Sequence, residues 1–205
     1  MGLLSDLLHR ASSIASDDDR GPLEVRTELL ALVNGVYAYY YTRRNKYSAS
    51  LRYLNLSIKL QKKKPEWNHM ALYYLHASFA LGKLKRHTES LRRLNDVISL
   101  FQKGLLTVEF HRQNLLLLAI TYHNIAVQQI AVEKIRHACI SSQNARRLAK
   151  VCSSYSNAYV RQFEATHRVC LDRLLKIVAR TPQNHNQKAD ELQLMFKGII
   201  RELFD

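Results

Sequence analysis

The side chains best suited to chemistry are nine His and three Cys, and their spacing indicates neither a catalytic nor a metal site. His167 and Cys170 lie three residues apart, which places both on one face of a helix. His137 and Cys139 lie two apart and so point in different directions on a helix, and no Cys-x-x-Cys suggests zinc. Tyr122–Asn124, which includes a His, fits helix packing better than part of a catalytic triad. We therefore expect no metal and no cofactor.

Other signatures of enzymes are also missing from the sequence. It contains no glycine-rich phosphate loop, no nucleophile elbow and no paired acidic motif. Cys139, Cys152 and Cys170 are an odd number of widely spaced cysteines among apolar neighbours, so we expect buried free thiols rather than disulfides. The sequence predicts a protein that is not an enzyme.

The charge is unevenly distributed and points to an acidic partner. The chain has 31 Lys and Arg against 17 Asp and Glu, a net charge of +14. Residues 1–30 carry a net charge of −3, residues 31–104 carry +11, residues 105–181 carry +7 and residues 182–205 carry −1. A basic body of this kind suits nucleic acid, anionic lipid or an acidic protein such as tubulin.

The N-terminal residues and the apolar segments predict a cytoplasmic protein. The longest apolar run, 115–120, is far shorter than the roughly 18–20 residues that span a bilayer. The opening MGLLSDLLHR has no cationic leader before an apolar core, and Asp6 stands where N-myristoylation needs Ser or Thr. We therefore expect no membrane span, no secretory leader and no lipid anchor.

The composition and the hydrophobic periodicity predict an all-α chain. Only six Gly and three Pro interrupt 205 residues rich in Leu, Ala, Lys, Arg and Gln. We expect an N-terminal amphipathic helix and acidic loop over 1–20, a solenoid over 21–181 and a C-terminal amphipathic capping or docking helix over 182–205. Apolar periodicity and breaks predict eight main helices, over 23–42, 47–62, 67–84, 88–103, 107–132, 133–151, 154–180 and 188–204, after a short one over 3–15.

Three consecutive helix pairs share one spacing of small residues. Ala38, Ser78 and Ala126 lie near the ends of the first helices of the three pairs. Twelve positions after each comes a second small residue, and seven positions later a third small or modest one: Ser50 and Ser57, Ser90 and Val97, Ala138 and Ala145. Small side chains allow helix backbones to approach closely, so we expect these to be helix–helix contact points. A helical bundle with chance periodicity is the alternative.

This pattern resembles the tetratricopeptide repeat, a helix–turn–helix unit that stacks into a solenoid. The usual turn Gly is replaced by Asn45, Lys85 and Glu133. The three successive units start 40 and 48 residues apart rather than about 34. Residues 36–149, which include YYYTRRNKYSASLRYLNLSI and AITYHNIAVQQ, are further similar to tetratricopeptide proteins of flagellated protists. The resemblance implies scaffold work in a cilium, a flagellar axoneme or another part of the microtubule cytoskeleton.

Tetratricopeptide solenoids bind partners on the concave face, which the first helix of each pair lines. Carried onto this sequence, the resemblance implies an apolar groove with a basic edge, suited to an amphipathic partner helix. The alternative is that the C-terminal helix fills this groove. The chaperone-binding clamp is not expected, because only Asn124 has a suitable polar side chain at the matching positions. The implied groove residues are Leu32, Tyr39, Arg43, Leu75, Phe79, Lys83, His123, Val127 and Ile130.

Basic residues cluster at or near several of the predicted turns. Because turns of successive repeats align along one edge of a solenoid, we expect these residues to form a basic surface, with an ordinary solvated surface as the alternative. The residues are Arg43, Arg44, Lys46, Lys62, Lys63, Lys64, Lys85, Arg86, Arg92, Arg93, Arg146 and Arg147.

Two functions are consistent with these features. The first is a non-enzymatic protein–protein interaction scaffold, whose partners are other proteins of a larger complex, with tubulin and axonemal proteins as candidates. The second is a basic helical subunit of a ribonucleoprotein that binds RNA. The sequence has basic residues that would contact phosphates, but no recognisable base-reading module. The sequence therefore favours the scaffold.

Overall fold

The computed structural model describes residues 22–62, 65–106, 111–152 and 158–180. All regular structure within these ranges is α-helical, as the sequence predicts. The predicted helices over 3–15 and 188–204 lie outside the described residues. The seven described helices are α1 (Pro22–Arg43), α2 (Tyr47–Gln61), α3 (Trp67–Lys83), α4 (His87–Gln102), α5 (His111–Ala131), α6 (Ile135–Cys152) and α7 (Ala158–Arg180).

Most predicted helix boundaries agree with the structure to within one or two residues. The main correction is at α6, which was expected from residue 133 but begins at Ile135. The cause is Glu133, whose φ of 60° is left-handed and so cannot belong to the helix. The α5 and α7 helices are described from His111 and Ala158, later than the predicted starts, and the residues just before them lie outside the described ranges.

Three residues in left-handed conformation close the turns inside the helix pairs. Asn45, Lys85 and Glu133 have φ values of 57°, 63° and 60°, at the positions where the sequence lacks the usual glycine. After each, the next amide donates a hydrogen bond to the carbonyl five residues earlier, as from Lys46 to Tyr41 at 2.9 Å. This is the Schellman arrangement, which satisfies the last carbonyls of the first helix. Short turns of this kind make the helices of each pair antiparallel.

The connections between pairs use a side-chain N-cap and a left-handed glycine in place of the non-glycine turn residue. Glu66 follows Pro65 and caps α3, because its Oε2 accepts a hydrogen bond from the His69 amide at 3.1 Å. Gly104 ends α4 with a φ of 63°, as its sequence position predicts. Gly104 therefore terminates the second pair, and Glu66 begins the first helix of that pair.

The helices pack in chain order. Each contacts the helix before and after it, and α3 with α5 and α5 with α7 also contact directly across the intervening helix. Gly35 shows how closely α1 approaches α3, since a β-carbon there would lie 2.9 Å from Cε1 of Tyr73. Three helix pairs followed by a flanking helix therefore form a solenoid-like stack.

The nine small or modest residues of the shared spacing are helix–helix contact points, as predicted. All of them, including Val97, are at most 1% exposed. Two serines also connect neighbouring helices directly: Ser57 donates to the Ala31 carbonyl at 2.8 Å, and Ser90 donates to the Ser78 carbonyl at 2.7 Å. A larger side chain at these positions has no room, because protein interiors are close-packed.

The core continues along the stack instead of forming one centre. One cluster joins α1 to the start of α5, and includes Leu54, Met70 and Val97. A second joins α5 and α6 to Val160 and Phe163 of α7, and a third joins α6 to Cys170 of α7. Each pair therefore depends on its neighbours for burial, as expected for a solenoid.

Candidate interaction surfaces

An exposed apolar surface runs along the first helices of the three pairs. On α1, Leu32, Val36 and Tyr39 are spaced by four and three residues, so they share one face of the helix. Tyr39 is 57% exposed. Leu72 and Phe79 on α3 and Val127 on α5 are also exposed. We call the six residues Leu32, Val36, Tyr39, Leu72, Phe79 and Val127 the first-helix stripe.

The predicted groove residues largely fall on or beside this stripe. Leu32, Tyr39, Arg43, Phe79, Lys83 and Val127 are exposed, while Leu75 and Ile130 are half-buried. Leu75 packs against the core cluster beneath α3, and Ile130 packs against the cluster that contains Cys170. Most of the predicted groove residues are therefore accessible, and these two contribute partly to packing.

His123 is the exception and requires a correction. Its helical position matches those of Val127 and Ile130, yet it is only 6% exposed. Its ring stacks on Phe163 of α7, with the centroids 4.5 Å apart. Burial lowers its pKa to about 4, so the imidazole is neutral at physiological pH. His123 is a packing residue between α5 and α7 rather than a groove residue.

Basic side chains meet the stripe at the turn ends of α1 and α3. The Lys83 ammonium lies 5.3 Å from the centroid of the Phe79 ring. The Arg44 guanidinium lies 5.4 Å from the Tyr40 ring. Tyr47 packs edge-on against Phe79 with 6.1 Å between centroids, which links the first turn to α3. Tyr47 of the first pair therefore contacts Phe79 of the stripe, and Lys83 places a positive charge beside the same ring.

The predicted basic surface divides into two groups. Arg43, Arg44, Lys46, Lys62, Lys85, Arg86, Arg92 and Arg147 are exposed, and Lys63 and Lys64 lie outside the described residues. Arg93 and Arg146 are half-buried and make ion pairs: Arg93 with Asp96 at 3.6 Å, and Arg146 with Glu164 of α7 at 3.7 Å. The first two pairs therefore present most of the accessible positive charge, whereas Arg146 helps to hold α7.

A polar groove lies between α2 and α4, above α3. Its volume is about 410 Å³. Sequence reasoning missed this groove, because its walls come from three helices and Asn55 is 38 residues from its neighbour Arg93. The lining residues are Leu51, Asn55, Lys62, Tyr74, Leu81, Arg86, Glu89, Arg92, Arg93 and Asp96. We call it the α2–α4 groove.

Cys139, Cys170 and His167 lie in a packed interface between α6 and α7. The thiols of Cys139 and Cys170 share a hydrogen bond between α6 and α7, which together with burial raises the pKa of Cys139. His167 Nδ1 lies 2.9 Å from Ser142 Oγ on α6. No group of three or more His, Cys, Asp or Glu in the described part of the chain is placed to hold a metal ion. All three cysteines are free and buried.

Comparisons with known proteins assign no family to the chain. No protein-family model matches the sequence, and a comparison with curated proteins finds no significant match. Of the helices in the described ranges, none has both the length and the apolar character needed to cross a bilayer.

Proposed function

We propose that this chain is a non-enzymatic scaffold of the tetratricopeptide type that docks in a larger protein assembly. The observation that carries the proposal is the first-helix stripe, six exposed apolar side chains on the first helices of the three pairs. Single exposed apolar residues are common on proteins, but exposed apolar residues that share a helix face and recur on successive helices favour a protein interaction site.

The composition of the stripe indicates its partner. Tyr39 and Phe79 offer large, rigid contact areas, which favours them as anchors in protein interfaces. Arg43 and Lys83 stand at the same end of their helices and add positive charge to that edge. An amphipathic helix with apolar anchors and acidic neighbours has the complementary chemistry.

The tetratricopeptide assignment is supported by three features of the stack. The small residues at matched positions are buried in all three pairs. The turns all place a residue in the left-handed conformation, where the repeat usually has glycine. The first helices of neighbouring pairs come close to each other: α3 contacts α5, and Gly35 of α1 lies against Tyr73 of α3. The irregular spacing of the pairs makes the units degenerate members of that type.

The sharper form of the proposal places the chain in a ciliary or flagellar axoneme or another microtubule-associated assembly. It is based on the resemblance of residues 36–149 to tetratricopeptide proteins of flagellated protists and on the net charge of +14. Tubulin is strongly acidic, so a basic edge is suited to contact it or a neighbouring acidic chain. In this proposal the chain lies in the cytoplasm, on the cytoskeleton.

Reversing the charge of the first turn should weaken binding to microtubules. We expect the variant Arg43→Glu, Arg44→Glu and Lys46→Glu to co-sediment with stabilised microtubules on the order of tenfold more weakly, because rim charges set the electrostatic attraction. All three residues are exposed, so the thermal melt should stay close to that of the original chain. Binding and melting are measured on the full chain.

A charge-matched control separates this cluster from the total charge. Arg168→Glu, Arg173→Glu and Lys176→Glu make the same change on exposed positions of α7. This control should bind within about twofold of the original chain at equal ionic strength, since the changed charges lie far from the first turn. Equal loss in both variants, or no loss in either, contradicts a specific role for the first turn.

A further inference from the structure

The α2–α4 groove is a second surface, distinct from the first-helix stripe. On α3, Tyr74 and Leu81 line the groove, whereas Leu72 and Phe79 belong to the stripe. At 100° per residue, Tyr74 and Leu81 lie within about 20° of each other and roughly 140–180° from Leu72 and Phe79. The groove therefore opens on the opposite side of α3 from the stripe.

The charges of the groove are predominantly positive. Four basic residues, Lys62, Arg86, Arg92 and Arg93, face two acidic ones. Both acidic residues already have an arginine partner in the groove. Glu89 accepts two hydrogen bonds of 2.6 Å from Arg86, and Asp96 pairs with Arg93. The hydrogen bond from Arg86 lowers the pKa of Glu89, and Arg93 and Arg92 lower it further. The groove thus has an excess of positive charge.

Arg93 is held in place across the floor of the groove. Its guanidinium reaches Asn55 of α2 at 3.5 Å and lies 5.7 Å from the centroid of the Tyr74 ring. Asp96 holds it from the same helix at 3.6 Å. A guanidinium already fixed by three neighbours loses little freedom when it binds a carboxylate, which favours recognition.

The dimensions suit a short extended peptide. Along α4, Arg86 and Asp96 are ten residues apart, a distance of about 15 Å at 1.5 Å per residue. An extended chain spans about 3.3 Å per residue, so four or five residues fill the length. The mainly polar lining does not suit an apolar small molecule, for which pockets are mostly hydrophobic.

The mixture of charges favours carboxylates over a nucleic-acid backbone. Glu89 and Asp96 would repel an uninterrupted row of phosphates, whereas a peptide can place its acidic side chains beside the arginines only. The one aromatic ring of the groove, Tyr74, is half-buried and faces Arg93, so it offers no open platform for a base.

We propose that the α2–α4 groove binds a short, extended segment of a partner protein that is rich in Asp and Glu. The inference builds on the proposed scaffold function and assigns a second contact to it. The first-helix stripe holds an amphipathic helix, and the groove on the other side of α3 holds an acidic segment. The Arg92 and Lys62 side chains are exposed at the groove walls and contact carboxylates of the segment.

The test is binding of a fluorescent hexaglutamate peptide, followed by anisotropy at fixed ionic strength. We expect the double variant Lys62→Glu and Arg92→Glu to bind at least about tenfold more weakly than the original chain, because two attractive contacts become repulsive. Arg93 is left unchanged, since it joins α2 to α4. A milder variant, Lys62→Gln and Arg92→Gln, should weaken binding less but in the same direction, which guards against loss of folding.

The control is Arg168→Glu with Lys176→Glu, an equal charge change on α7, which should change affinity by less than about twofold. Equal weakening by control and groove variants overturns the proposal, because attraction would then follow total charge alone. Tighter binding of an oligouridylate that the groove variants also abolish overturns it in favour of RNA. The peptide assay needs no cellular partner, so its failure is distinct from a failure of the scaffold proposal.

Discussion

Replacing Ala138 by Trp is expected to destabilise the protein by about 3 kcal/mol or more. Ala138 is 0% exposed and packs with Ile135 and Cys139 of its own helix and Cys170 of α7. An indole there forces α6 away from its neighbours, and overpacking of a filled core typically costs about 1–3 kcal/mol even for smaller insertions. Because each pair is buried by its neighbours, the loss should affect the third pair and α7 together. Thermal melting followed by circular dichroism measures the effect.

Ile140→Trp is the matched control for this prediction. Ile140 lies two residues further along α6 and is 60% exposed, so a large side chain there remains in solvent. We expect its stability to stay within about 0.5 kcal/mol of the original chain. If Ala138→Trp melts at the same temperature as Ile140→Trp, position 138 is not a close contact and the assigned repeat spacing is wrong.

The second large effect is acid destabilisation through His123. Burial lowers its pKa to about 4 from the ordinary value of 6.5 for an exposed imidazole. Between these values the unfolded chain takes up a proton that the folded chain does not, so stability falls as the pH drops from about 6.5 to about 4. By linkage, His123 should cost about 2 kcal/mol between pH 7 and pH 5. Above pH 7 it should have almost no effect.

His123→Phe tests this prediction because it retains an aromatic ring against Phe163 and removes the titrating group. Urea unfolding at pH 7 and pH 5 should show a smaller loss of stability than in the original chain, by about 2 kcal/mol. The original chain, unfolded at both pH values under the same conditions, is the control because it keeps the buried imidazole. An unchanged pH dependence in His123→Phe contradicts the assignment of a buried neutral imidazole.

Local features of the sequence predicted much of the fold. Pro65 and Gly104 mark helix breaks by steric rules that hold in any protein, and Pro65 lies between α2 and α3 while Gly104 follows the end of α4. Spacing of small residues predicted the helix–helix contacts, since close approach of two backbones requires small side chains whatever surrounds them. Asn45, Lys85 and Glu133 were predicted to replace the turn glycine, and all three adopt its left-handed conformation.

Contacts between distant segments were not predictable in the same way. His123 and Val127 share a helical face, but only His123 is covered, because α7 crosses α5 beside Phe163. Sequence periodicity predicts which residues share a helix face, but not how much of that face a neighbouring helix covers. The α2–α4 groove was missed for a similar reason: Asn55, Tyr74 and Arg93 come from three helices, and no local pattern connects them.

The most direct test of the scaffold function is affinity purification of the tagged chain from its own cells, with partners identified by mass spectrometry. Washes at low and high salt are compared with and without nuclease. The proposal predicts a defined set of proteins, including tubulin or axonemal components, that remain bound after nuclease treatment. Loss of the whole set on nuclease treatment contradicts it and indicates that the basic body of the chain binds RNA.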